Sequence, residues 1–318
     1  MMKSEMTRRE MLRNSGIAIV ASGLIGVVPS SVAPKSNPYR VSLNTSTIRG
    51  YQLPVEKQVD LCAEAGFEGI ELWVSDVEAY IKQGGTAAEL GQRIKQHGLV
   101  LENMISFSTW MADDPGARKS GIKKMRQDME LTAQLGGRYI AAPVQGVPVF
   151  EKQHLSEYSD RYRMILEAGV QAGVTPLLEL WGGGALSQLA DTVSITIGSA
   201  HPDASMLLDF YHLYRGGNSF DSLRLINGGI LPVFHINDYP ASIPRTALND
   251  SDRVFPGDGS CPFDKLIPVL YETGFRGAFS IELFNKSYWE SMDVKTLLKQ
   301  SYEKTATVVQ RHWPYSLR

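Results

Sequence analysis

Cysteine is scarce in this sequence. Its 318 residues hold two, Cys62 and Cys261, far apart and outside any metal-ligand spacing. That excludes a disulfide framework or a thiolate zinc cluster, and two unpaired thiols are the simpler expectation. Charge of one sign is also lacking. The formal net charge is −2 and no basic stripe runs along the chain, which argues against a nucleic-acid partner. No G-x-G-x-x-G follows the first strand-like run, so a dinucleotide-binding open sheet is the weaker fold. No linker rich in Pro, Gly or Ser divides the chain and no short repeat recurs, so one domain over residues 38–314 is the simplest organisation. Apolar residues are not lacking. At 43% of the chain they can fill a full α/β core, which excludes disorder.

The first 33 residues read as a segment apart from that domain. A basic stretch, "TRREMLR" (7–13), precedes an apolar run over residues 17–28 that closes on the small residues "SVA". The run is short for a bilayer span, so an export signal is preferred to a membrane anchor with an incidental arginine pair. The arginine pair looks like a twin-arginine signal, which implies a periplasmic protein with no membrane association once the signal is removed. Loss of its four basic and two acidic residues takes the net charge to −4.

From residue 39 onward, short β-rich runs alternate with helical patterns. The runs are "YRVSLNTST" (39–47), "GIELWV" (69–74), "VLENMISF" (100–107), "RYIAAPV" (138–144), "TPLLELW" (175–181), "SMLLDFY" (205–211), "PVFHIN" (232–237) and "GAFSIELF" (277–284). Several intervening helical patterns end in Gly, a common helix stop. Eight β-then-α units in this length predict a single (β/α)8 TIM barrel. The longest aperiodic insert, residues 238–260, follows the seventh strand, where barrels carry their binding loops.

"LLELWGG" (177–183) places one carboxylate, Glu179, inside an apolar strand. A buried charge needs a partner, a hydrogen-bond shell or a cation. The next three strands repeat the anomaly with Asp209, His235 and Glu282, each near its strand's C-terminal end. Alternation puts Leu177, Leu207, Val233 and Ser280 inside the barrel beneath them, and Leu178, Leu208 and Phe234 outside under the helices. Three converging carboxylates repel unless a cation joins them. Three carboxylate oxygens and an imidazole make a hard site for one divalent ion, with Mn²⁺ preferred and Mg²⁺, Co²⁺ or Zn²⁺ open. His212 stands at the rim, placed for substrate or a carboxylate. Arg253, in the long insert, is balanced between a clamp for substrate oxygens and a solvated loop charge.

"LLEL", "LLDFYH", "FHIND", "DRVFPGDG" and "SIELF" resemble the xylose isomerase-like TIM barrels, often called sugar phosphate isomerases/epimerases, and within them the inosose (2-keto-myo-inositol) isomerases. "GIELW" (69–73) is common to the superfamily and says less. The resemblance implies that Glu179, Asp209, His235 and Glu282 hold the metal, that Glu179 and Glu282 form the acid/base pair, and that His212 and Arg253 contact substrate. It excludes the three-metal DNA-repair members, because Val254 stands where those have a metal-binding histidine and the chain has only six histidines.

The implied reaction is isomerisation or epimerisation of a keto-polyol or keto-sugar through an enediolate. One glutamate removes a proton alpha to the carbonyl and the other returns it. Trp73, Phe107 and Trp181 are candidates for an apolar wall that excludes water; Trp73 and Trp181 are taken as substrate-binding, and Phe107 as core. No phosphate-cradling loop is visible, so free keto-sugars or 3-keto-glycosides are preferred to sugar phosphates. A lyase or hydratase on the same scaffold and a non-catalytic carbohydrate-binding protein are the alternatives. A homo-oligomer is left open.

Overall fold

The computed structural model describes residues 38–314; the expected export signal over residues 1–33 lies outside the described residues. All eight expected strands form. They are β1 (Arg40–Asn44), β2 (Gly69–Trp73), β3 (Val100–Ile105), β4 (Tyr139–Pro143), β5 (Thr175–Glu179), β6 (Ser205–Asp209), β7 (Val233–Ile236) and β8 (Ala278–Ile281). Each pairs in parallel with its neighbours in chain order, and β1 closes on β8. Among the described residues no helix is long and apolar enough to cross a membrane.

The barrel has the two apolar layers that strand alternation requires. Ile105, Ala141, Leu177, Leu207 and Val233 fill its interior. Leu178, Leu208 and Phe234 belong to the larger outer layer beneath the helices. Ser280 also faces inward as expected, and its buried hydroxyl finds no partner. Both cysteines are buried, free thiols.

Local signals fix where the elements turn. The helix Ala87–Gln96 opens on a reciprocal capping box between Thr86 and Glu89, which satisfies two otherwise orphaned amides. The helix Leu155–Ala172 stops at Gly173, whose φ of 70° is a left-handed cap. At the end of β6, Asp209 caps the short helix Phe210–Arg215 by accepting the His212 amide at 2.8 Å. The strand thus turns away at the level of its carboxylate, and His212 is carried back over the barrel mouth.

The insert after β7 is folded rather than loose. Asp238 and Val254 form an antiparallel bridge. The Asp238 carboxylate accepts the amides of Tyr239, Gly257, Gly259 and Cys261 at 2.8 to 3.0 Å. Glycine is required here: Gly257 has φ +89°, and a Cβ on Gly259 would lie 2.3 Å from the Tyr239 carbonyl oxygen. Arg253 sits one residue before this bridge and is thereby held against the barrel mouth.

Candidate functional site

The four polar residues that interrupt β5 to β8 converge at the C-terminal end of the barrel. Glu179 pairs in register with Leu207, Asp209 with His235, and His235 with Ser280. Going round from β5 to β8, the polar positions therefore climb by two residues at the first step and again at the last. Strand tilt in a closed barrel converts such a climb into a level ring. All four are buried, with at most 6% of their surface exposed.

His235 is the centre of the cluster. Its Nε2 lies 3.1 and 3.2 Å from the two carboxylate oxygens of Glu71. Its Nδ1 has no hydrogen-bond partner and lies 3.3 Å from Glu282 Oε2 and 3.8 Å from Asp209 Oδ2. A lone pair cannot be buried facing two carboxylates unless a proton or a cation stands between them. Burial alone lowers the His235 pKa, but Glu282 and Glu71 outweigh it and hold it well above the ordinary histidine range.

The carboxylates are aimed by amides. Asn44 donates to Glu282 Oε1 at 3.0 Å, Asn237 to Asp209 Oδ2 at 2.7 Å, and Asn103 to Glu71 Oε2 at 2.8 Å. Burial pushes Glu179 up to about 8, against the pull of His235. Burial raises Asp209 as well, despite Arg253. Glu282 goes the other way: burial raises it, but His235 and Arg253 together pull it well below the usual carboxylate range.

Arg253 is 1% exposed, so it is no solvated loop charge. Nη1 donates to Glu282 at 2.5 Å and approaches Asp209 at 3.4 Å, while Nη2 reaches His212 Nε2 at 3.1 Å and Asp250 at 2.9 Å. Burial, then the nearby Arg253, push His212 well below its ordinary pKa, so its ring is neutral and accepts from the guanidinium. The four buried carboxylates Glu71, Glu179, Asp209 and Glu282 thus face two basic side chains, His235 and Arg253. Burial is the main cause of the raised pKa values of Glu179 and Asp209, and the neighbouring Glu282 adds to it.

A divalent cation fits this donor set. Ligand atoms of Asp209, His212 and Glu282 lie within 4.8 Å of one another, and the unpartnered His235 Nδ1 faces two of these three residues. Oxygen and imidazole donors suit a hard or borderline ion. His212, expected at the rim, therefore belongs both to the donor cluster and to the cavity lining.

Glu71 was not singled out by sequence reasoning. Its signal was present, since "GIELW" poses the same question as "LLELW": a lone carboxylate in an apolar strand. A carboxylate behind a metal-facing histidine fixes its tautomer and orientation. Glu71→Gln is expected to weaken divalent-cation binding about 10- to 100-fold, as measured by chelator competition. Unchanged affinity would mean that the Glu71 contact is packing only.

Above the cluster opens a cavity of about 500 Å³, lined by Glu179, Glu282, His212 and Arg253 below and by Trp73, Phe107, Trp181 and Phe284 at the side. Trp73 and Trp181 therefore lie where substrate contact was expected. Phe107 does not belong to the core: it is 43% exposed. The strand β3 ends at Ile105, so Phe107 falls beyond the pleat and turns outward to the mouth.

The family model described as "Xylose isomerase-like TIM barrel" matches residues 59–307. An inosose isomerase of Bacillus velezensis is 25% identical over 267 residues, covering 81% of this chain and 93% of that protein. A 3-dehydroshikimate dehydratase of Bacillus anthracis is 26% identical over 277 residues, covering 82% and 94%. The solved structure of an IolI protein with a bound zinc atom superposes with a TM-score of 0.78 at 21% identity, over 87% of this chain and all of that one. At that identity the superposition establishes the fold.

Proposed function

The chain belongs to the xylose isomerase-like TIM barrel family, and from that premise we propose that it is a divalent-metal-dependent isomerase or epimerase of a keto-polyol or keto-sugar. The observation that carries this reading is the division of labour in the cluster. Glu179 and Glu282 line the cavity, whereas Asp209 and His235 do not. Two carboxylates thus face the substrate space, Glu179 from the end of β5 and Glu282 from just past β8, while Asp209 and His235 complete the donor set beneath them.

Glu179, Asp209, His235 and Glu282 would hold the ion. When bound, it supplies Lewis-acid stabilisation of the enediolate charge that develops on a ketone substrate. Manganese is the preferred ion, because three carboxylates and one imidazole form a hard set; the zinc in the IolI structure keeps the borderline ion in contention.

The chain's own residues do the proton work. A carboxylate over one edge of the substrate removes the proton alpha to the carbonyl, and the carboxylate across the cavity returns a proton to the same or the adjacent carbon. Arg253 and His212, at the cavity floor, orient substrate oxygens. Trp73 and Trp181 keep water from the reacting carbon. The dehydratase relative supports a second reading on the same site, elimination of a substituent beta to the carbonyl.

Product NMR in D₂O tests and separates the two. Metal-dependent deuterium incorporation at an alpha carbon, with every substituent retained, is the expected result for 2-keto-myo-inositol or a ketohexose. Loss of a substituent transfers the assignment to a lyase. No exchange on any keto-polyol or keto-sugar overturns both.

A further inference from the structure

The aromatic side of the cavity has more surface than a water barrier requires. Trp73 and Phe107 have ring centroids 4.9 Å apart, Phe107 and Trp181 6.0 Å, and Trp73 and Phe284 6.5 Å. Together they make a continuous apolar wall rising from the polar floor. Trp73 is held rigidly, because the Arg49 guanidinium lies 3.8 Å from its ring centroid and Arg49 in turn reaches Asp76 at 3.4 Å. Trp181 is steadied by stacking on His212, at 6.3 Å and 29°.

Two observations set this wall apart from core. Phe107 is the one aromatic among the large apolar side chains left exposed in the described residues. Burying its ring would have been favourable, yet it stands open between two tryptophans. The Trp73 indole N–H, also buried, has no hydrogen-bond partner, although indole donors in such places normally find one. The cavity itself, at about 500 Å³, lies in the range that takes drug-sized ligands rather than a lone six-membered ring.

We propose that Trp73, Phe107, Trp181 and Phe284 form an outer subsite for a second ring, so that the substrate is a keto-glycoside: a keto-sugar over Glu179 and Glu282, with an aryl group or second sugar stacked on the aromatic wall. This rests on the proposed keto-sugar chemistry for the inner half only. Aromatic faces recognise both partners, because an aryl ring and the C–H face of a sugar each present positive edges or hydrogens to the π cloud.

The test uses manganese-loaded protein and two probes that differ only in the outer group, methyl and phenyl 3-keto-β-glucoside. Calorimetric titration is expected to give a Kd about tenfold lower for the phenyl probe, with a change in tryptophan fluorescence that the methyl probe does not produce. Phe107 is half outside the fold, so Phe107→Ala leaves the core intact, and it is expected to bring the ratio of the two Kd values close to one. Equal affinities in the wild type, a ratio unaffected by Phe107→Ala, or binding of neither probe overturns the outer subsite. Alpha-proton exchange in D₂O separates the two levels. If the methyl probe exchanges but phenyl gives no advantage, the subsite falls and the keto-sugar reading stands. If the phenyl advantage and its loss in Phe107→Ala are seen without exchange, the subsite stands and the keto-sugar reading falls.

Discussion

Glu282→Gln is expected to lower kcat by about 10²- to 10⁴-fold, the range for removing a positioned acid/base group, with the protein still folded. The substitution keeps the shape and removes the charge. In the parent, Glu282 accepts from Asn44 on one oxygen and from Arg253 on the other. Glutamine has only one accepting end, so one of these contacts turns into two donors facing each other. Arg253 and His235 also lose a counter-charge in a site shut off from water. Breaking a buried pair in this way costs about 3–5 kcal/mol, so a lower Tm accompanies the lost turnover. Cation affinity and ligand affinity, measured beside kcat, distinguish the outcomes. Lost turnover with ligand still bound supports the acid/base role. Turnover near the parent level removes Glu282 from the chemistry. A wild type that binds sugars and turns over none would make the chain a carbohydrate-binding protein instead.

The barrel was legible because its strands are buried on both faces. They read as short continuous apolar runs, and a charged residue within one is conspicuous. Glu179, Asp209, His235 and Glu282 stand out for that reason; the structure sets Asp209, His235 and Glu282 side by side and places Glu179 in the lining of the same cavity as Glu282. Strand ends were less legible. The run expected to 107 stops at Ile105, and the one expected to 211 stops at Asp209; at β6 the strand leaves the pleat where Asp209 begins to cap the helix that follows. That two-residue difference is why Phe107 faces the mouth and not the core.

Cross-barrel partners were not legible at all. Glu71 and His235 are 164 residues apart, and no local pattern announces that strands β2 and β7 lean toward each other. The three asparagines that aim the carboxylates carry no charge to draw notice and sit among other polar residues, Asn44 beside Thr45, Asn103 beside Glu102 and Asn237 beside Asp238. The burial of Arg253 depends on Asp238 gathering four amides from its own insert. That is a tertiary fold of a loop, for which sequence periodicity has no signal.

Cation affinity is expected to rise at least about 100-fold between pH 6 and pH 8, roughly tenfold per unit for each displaced proton. In the cation-free protein, burial holds the Glu179 carboxyl up to about 8, so below that pH it carries a proton. Coordination needs the ionised form, so the proton must leave, and the demand vanishes above pH 8. His235, held high by Glu282 and Glu71 against burial, adds to the effect with the same sign. Stability follows from the same shift. Glu179 unfolded titrates near 4.3, so between about pH 4.3 and pH 8 the folded cation-free chain binds a proton that the unfolded chain does not. Its stabilising contribution is full below that window and is lost as pH rises through it, by up to about 1.4 kcal/mol per unit. The cation-free Tm should therefore fall from pH 5 to pH 8, while the loaded protein, whose carboxylates are already ionised, should not follow it. Titration in two buffers of different ionisation enthalpy counts the protons released at pH 7. At least one is expected. Binding that is independent of pH over this window, with no proton released, would mean that Glu179 is ionised without the cation or is not one of its ligands.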